Sequence, residues 1–265
     1  MLGRRGAAAY AIALSLVFLT CSCAASPGAI KAKADLLPGV VEVRVLTNGG
    51  EADIPFSQPA QRAKVTMAAD ASAAELVAVF EALADDVEAE DLTSIEVRFA
   101  DDGSATLSTG SGILGTPRMA EELVEARNDP ELIAYARVAA PVVREVYLEL
   151  SDPRLPSALA AADRYLERRD IDIVTVQAGG FLLIRDRINE RLAFTAARER
   201  LTSEVDEQIG LTGAAVTGRT PLKLCAAPGD VAEVERYLDR DPRAGEVAPI
   251  GVVAATAEAC GDIYL

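Results

Sequence analysis

The sequence predicts an α+β protein of tandem ferredoxin-like units, each of βαββ type, with antiparallel sheets and helices packed on one face. Three observations predict it. Short apolar runs alternate with polar residues, as half-buried strands require. Between them lie stretches with apolar residues at helical spacing. The principal helices open near Ala73, Arg154 and Asp230, intervals of 81 and 76 residues, a near-regular spacing that points to repeated units.

The first unit is expected over residues 39–116. Gly39 to Leu46 reads as a strand, and Lys64 to Ala68 as a second, shorter one. Ser72 and Glu75 have the spacing of a capping box. Leu76, Val79, Phe80, Leu83 and Val87 then fall on one helical face. Thr93 to Ala100 alternates, and Asp101-Asp102-Gly103 turns the chain into Ala105 to Ser108.

The second unit is expected over 117–186. A connecting helix runs from Arg118 to about Ala139. Glu145 to Leu150 is a strand, and Ser151-Asp152-Pro153 ends it and opens a helix lined by Leu155, Leu159, Ala162 and Leu166. Ile171 to Gln177 and Phe181 to Arg185 then form a hairpin around Ala178-Gly179-Gly180. The third unit is expected over 187–265. A second connecting helix covers Arg187 to Gln208, and Leu222 to Ala226 is a strand. Val231, Val234 and Leu238 face inward from the next helix, and Pro249 to Ala255 and Asp262 to Leu265 supply the last strands.

The N-terminal segment belongs to targeting rather than to the fold. Arg4 and Arg5 precede an uncharged, mainly apolar stretch of 14 residues, Ala7 to Thr20, short of the roughly 20 a membrane span needs. Small residues follow, among them Cys21 and Cys23. Cys23 has Ser22 directly before it and Leu19 four back. This segment resembles a bacterial lipoprotein precursor, with Thr20 where that family usually carries Leu and Cys21 at the middle small position. The resemblance implies a signal peptide over 1–22, lipid attachment at Cys23 with palmitate or similar acyl chains, and a tether over 23–38. It implies a protein held on the outer face of the cell membrane. Two other readings stand beside it: a secretory signal cut after Ala24 or Ala25, and an uncleaved anchor. All three place the body outside the cytoplasm.

Charge sharpens this. The chain has 26 basic and 41 acidic side chains, and removal of residues 1–22 with their two arginines leaves a body of net charge -17. Such a body is repelled by nucleic acid and by anionic headgroups, so no nucleic-acid partner is expected and attachment falls to the lipid. The remaining cysteines, Cys225 and Cys260, form an even pair that reads as a disulfide in an oxidising compartment; two buried free thiols are the alternative.

Chemistry is thin. The chain has no His, so histidine-based catalysis and imidazole ligation are excluded. Small metal-carrying ferredoxin-like domains have a Cys-x-x-Cys loop that this chain lacks, and no metal or cofactor is expected. Gly110 to Gly115 matches G-x-G-x-x-G, and Glu131 lies about where a ribose-binding acid belongs. The preceding strand reads as a hairpin return, so the run is taken as a glycine-rich connector. Asp85-Asp86, Asp101-Asp102 and Asp239-Arg240-Asp241 read as solvated turns and helix ends, and the arginines as exposed ion pairs. Lys64 and Lys223 read as edge charges of their strands. The expected function is a non-enzymatic binding protein of the cell envelope, with an envelope protein as partner. A small-ligand pocket between units and a carboxylate-dependent hydrolase are the alternatives.

Overall fold

The computed structural model describes residues 25–47, 61–100, 104–110, 113–188 and 192–262. Helix α1 (Pro27–Ala34) leads into strand β1 (Val40–Thr47). Strand β2 (Gln61–Met67) is followed by α2 (Ala73–Ala82), the short α3 (Ala84–Glu88) and β3 (Leu92–Phe99). Next come β4 (Ala105–Thr109), α4 (Pro117–Asn128), β5 (Leu132–Ala139) and β6 (Arg144–Leu150). Then follow α5 (Leu155–Leu166), β7 (Ile173–Ala178), β8 (Phe181–Asp186), α6 (Leu192–Ile209) and β9 (Gly213–Val216). The chain closes with β10 (Leu222–Ala226), α7 (Val231–Arg240), α8 (Pro242–Glu246), β11 (Ile250–Ala254) and α9 (Ala257–Asp262).

Among the described residues, eleven strands form one sheet in sequential order, β1 to β11. Antiparallel hairpin pairs alternate with parallel pairs joined through helices, so β1–β2, β3–β4, β5–β6, β7–β8 and β9–β10 are antiparallel. The other five neighbours are parallel. This overturns the expected tandem ferredoxin-like units with antiparallel sheets. A ferredoxin-like sheet inserts strands between those it connects. Here every crossover joins immediate neighbours, and no break in the sheet falls at 116/117 or 186/187.

Two missed strands account for the difference. Leu132–Ala139 was expected as the tail of a connecting helix, but Pro130 stops α4 and the rest pairs with β4 and β6. Gly213–Val216 was not expected at all, and it bridges β8 to β10. With both in place, the crossover helices α2, α4, α5, α6 and α7 start at residues 73, 117, 155, 192 and 231, intervals of 44, 38, 37 and 39. The structural period is about half the expected one. At the C-terminus Asp262 lies in α9 rather than in a strand, and 263–265 are outside the described residues.

Helices α1 to α8 share one face of the sheet. Helix α2 touches α1 and α4, and α6 touches α7. Arg185 of β8 reaches both Asp163 of α5 and Glu199 of α6. Strand direction reverses at each hairpin while the helices stay on one side. Successive crossovers therefore alternate in hand, and the strong preference for right-handed crossovers cannot be met by all five. One-sided burial of the helices wins over that preference.

Local chemistry shapes each helix as its sequence directs. Ser72 and Glu75 form a reciprocal capping box on α2, and Leu76, Val79, Phe80, Leu83 and Val87 are buried. Asp86, expected as a solvated helix-end acid, is buried and paired with Lys33 at 2.8 Å. Residues 27–34, expected within a tether, are helical: Ser26 caps α1, and Ile30 and Ala34 are fully buried in the core. Among the described residues no helix is long and apolar enough to cross a membrane.

Candidate functional site

The two faces of the sheet have different chemistry. On the helix-covered face one row of paired residues runs Val43, Val65, Val97, Leu107, Arg137, Val146, Val174, Arg185. Two arginines interrupt an otherwise apolar row, and both are held by acids from the helical layer. Arg137, 1 % exposed, donates to Glu122 of α4 and, at 2.8 Å, to Asp170. Glu122 also accepts from the Tyr135 hydroxyl at 2.6 Å and from Arg168 at 2.5 Å. Arg185 donates to Glu199 at 2.7 Å and to Asp163. In α6, Arg198 is buried against Phe194, 4.2 Å from the ring centroid, and donates to the carbonyls of Thr217, Thr220 and Val247. The arginines expected as solvated ion pairs thus include three that lock helices to sheet and loops.

Electrostatics agree with a lock rather than a reactive centre. Burial, and then the neighbouring Glu122 carboxylate, push the Tyr135 hydroxyl far above its usual range. Burial pushes the Asp170 carboxyl up, but hydrogen bonds from Arg137 and Arg168 outweigh it and hold the group well below the usual carboxylate range. Glu122 is engaged by three donors at once, which holds it in place. Beside it a cleft of about 220 Å³ is lined by Glu125, Asp129, Arg164, Tyr165 and Arg168.

Two wider grooves run between helices. One of about 580 Å³ lies between α5 and α6, with Asp163, Arg185, Glu199 and Glu204 among its walls. One of about 600 Å³ lies between α6 and α7–α8, with Arg236, Tyr237, Arg240 and Arg243. Most of their lining residues are charged or polar, but the surface presented in the α5–α6 groove is mainly apolar, with Leu159 and Leu166 in its wall. Arg243 is already engaged by Glu204 at 2.8 Å and Asp241 at 2.6 Å. Asp241 also accepts from the Arg243 amide at 2.9 Å, a turn arrangement. Among the described residues no three metal-binding side chains gather.

Among the described residues the opposite face carries no helix over β2 to β7, and α9 reaches β8. The rows of this face run Lys64, Glu96, Ser108, Val138, Glu145, Ile173 and Thr66, Arg98, Thr106, Ala136, Tyr147, Thr175, Ile184. Most of these side chains are half-buried, and Val138 is exposed. Lys64, expected as an edge charge, lies inside the sheet and pairs with Glu96 at 3.0 Å. Both signs of charge occur on β2 and β3, whereas β5 to β8 offer Ala136, Val138, Tyr147, Ile173 and Ile184 with Thr175 and the acids Glu145 and Glu149 of β6 among them.

Among the described residues this face is closed at its C-terminal end alone. Cys225 points away from the core side of β10 and is joined to Cys260 of α9 by a disulfide, Sγ–Sγ 2.04 Å. Helix α9 lies over β8 and β9. Gly213 is required there: a Cβ would lie 2.7 Å from Cys260 Sγ and 2.1 Å from the Gly180 carbonyl oxygen.

The glycine-rich motif is resolved by the same kind of contact. A Cβ on Gly115 would lie 2.3–2.4 Å from the Phe80 ring, so this glycine permits close packing of α2 on the loop before α4. Thr116 then caps α4, accepting from the Met119 amide at 3.2 Å. Contrary to expectation, β4, α4 and β5 do form a parallel crossover. Glu131, however, precedes β5 at the end of the sheet opposite Gly110, so the structure does not bring the acid to the loop. Ser111 and Gly112, Asp101 and Asp102, and Cys23 lie outside the described residues.

No protein-family model, no curated protein and no solved structure matches this chain.

Proposed function

We propose that this is an extracytoplasmic, lipid-anchored, non-enzymatic interaction protein of the cell envelope, whose open sheet face, over β5 to β7 and the part of β8 beyond α9, receives a protein partner. One observation carries the reading. Sheets rich in parallel pairs are normally covered on both faces. Half the strand pairs here are parallel, yet among the described residues one face from β2 to β7 has no layer of its own. Its apolar and hydroxyl side chains suit a protein surface better than nucleic acid or sugar. The buried acids and arginines are committed to one another, which favours binding over carboxylate hydrolysis. The lipid is assigned to Cys23 from its place after the apolar segment.

Two experiments test the two halves. Labelled palmitate is expected in the wild-type protein and absent in Cys23→Ser; unchanged labelling removes the anchor assignment. Crosslinking on intact cells is expected to capture a specific envelope protein with wild type and to lose it with Val138→Lys/Ile184→Lys. Retained capture in a folded double variant removes the helix-free face from the proposal.

A further inference from the structure

We infer that the sheet end formed by the starts of β2, β3, β6 and β7 rests directly on the bilayer, with Val142, Ile188, Arg169 and Arg187 at the lipid surface. The inference rests on the Cys23 lipid reading and adds an orientation to it.

The first argument is the length of chain between anchor and body. The Ala25 amide donates to Asp91 Oδ2 at 2.8 Å, and Gln61 Nε2 donates to the Ala25 carbonyl at 3.0 Å. Ser26 caps α1 immediately afterwards, and Ile30 fixes that helix in the core. Two Cα steps separate Cys23 from Ala25, about 7 Å at full stretch. An acylated Cys23 therefore holds the body within about two residues' length of the headgroups, with no slack for it to turn over. Gln61 opens β2 and Asp91 directly precedes β3, so the anchor lies at the end of the sheet where those strands begin.

Strand directions place further groups at that end. Val142, 80 % exposed, sits in the turn from β5 to β6, and Ile188, 51 % exposed, follows β8. Backbone bonds make these one continuous patch. The Asp172 amide donates to the Arg144 carbonyl at 2.7 Å, and the Arg187 amide donates to the Asp172 carbonyl at 2.8 Å. Arg187 Nη1 donates to the Arg168 carbonyl at 3.1 Å. Exposed apolar tips flanked by Arg169 and Arg187 match an interfacial surface, where guanidinium groups meet phosphates and apolar groups enter the acyl boundary.

The test uses the mature, lipidated protein in vesicles of phosphatidylethanolamine and phosphatidylglycerol. Val142→Cys, Ile188→Cys and Leu36→Cys each carry a polarity-sensitive dye; Leu36, 88 % exposed, marks the opposite end. Mass measurement first establishes the lipid on Cys23. A lipid-borne quencher is expected to quench the dyes at 142 and 188 severalfold more than the dye at 36. Equal quenching at all three positions on lipidated protein overturns the orientation while leaving the anchor standing. Protein without lipid on Cys23 overturns both.

Discussion

The helix-covered and helix-free faces are made from the same strands, residue by residue in alternation, yet they solve opposite problems. The covered face buries Val65, Val97, Leu107, Val146 and Val174, and inserts Arg137 and Arg185 where helical acids can reach them. The free face places Ala136, Tyr147, Thr175 and Ile184 in register with no such partners above them. The difference teaches that buried charge in this protein is a structural device on one side, whereas on the other Glu145 and Glu149 stand half-buried among apolar and hydroxyl groups with no helical partner among the described residues. Burial on the covered face fixes the fold. The free face is left with chemistry that a partner can use.

That contrast can be broken most severely at Glu122. Glu122→Ala leaves the buried Arg137 and the Tyr135 hydroxyl short of their acceptor, and a stability loss of about 3–5 kcal/mol is expected in urea unfolding. A loss under about 1 kcal/mol, the value of an exposed pair, contradicts the lock. The disulfide comes next. It closes a loop spanning a sequence separation of 35, and Cys260→Ser is expected to cost about 2–4 kcal/mol and to release α9 from β8 and β9. Hydrogen exchange should then rise in α9 while α2 and α5 stay protected.

Acid gives a smaller effect of definite sign. Asp170 is held low by Arg137 and Arg168 against the opposing effect of burial, and Asp172 is held low chiefly by the Arg144 hydrogen bonds. Carboxyls with a depressed folded pKa contribute stability that is complete above their unfolded value, near 3.9, and is lost as pH falls through the folded value. Melting temperature should therefore fall as pH drops below about 4, and fall less in Arg144→Met. The smallest stability effect belongs to the free face. Ile184→Thr should cost no more than about 0.5–1 kcal/mol, while reducing partner capture.

Several parts of this architecture were legible in the residues. Ser72 and Glu75 announce the start of α2, and the spacing of Leu76, Val79 and Phe80 announces its buried face. The alternation in Thr93 to Ala100 identifies β3. The sheet order was not legible, because it turns on two strands with weak patterns. Leu132–Ala139 has alanines that suit a helix as well as a strand, and only Pro130 separates it from α4. Gly213–Val216 is four small residues, all buried, with no alternation to read. The buried arginines were equally hidden: nothing in the run Tyr135-Ala136-Arg137 says that Glu122, 15 residues earlier, will face Arg137. Strand alternation, with Tyr135 and Arg137 on one face, was the available signal. The helix-free face was invisible for a related reason, since it depends on all eight preceding helices choosing the same side.

The most direct test of the free face as the interaction surface is a photocrosslinking residue at position 184, compared on intact cells with the same residue at position 200, on the helical side of the molecule. The account predicts one specific envelope adduct from position 184 and none from position 200. Adducts from position 200 alone, or none from position 184 in protein that is anchored and folded, would contradict it.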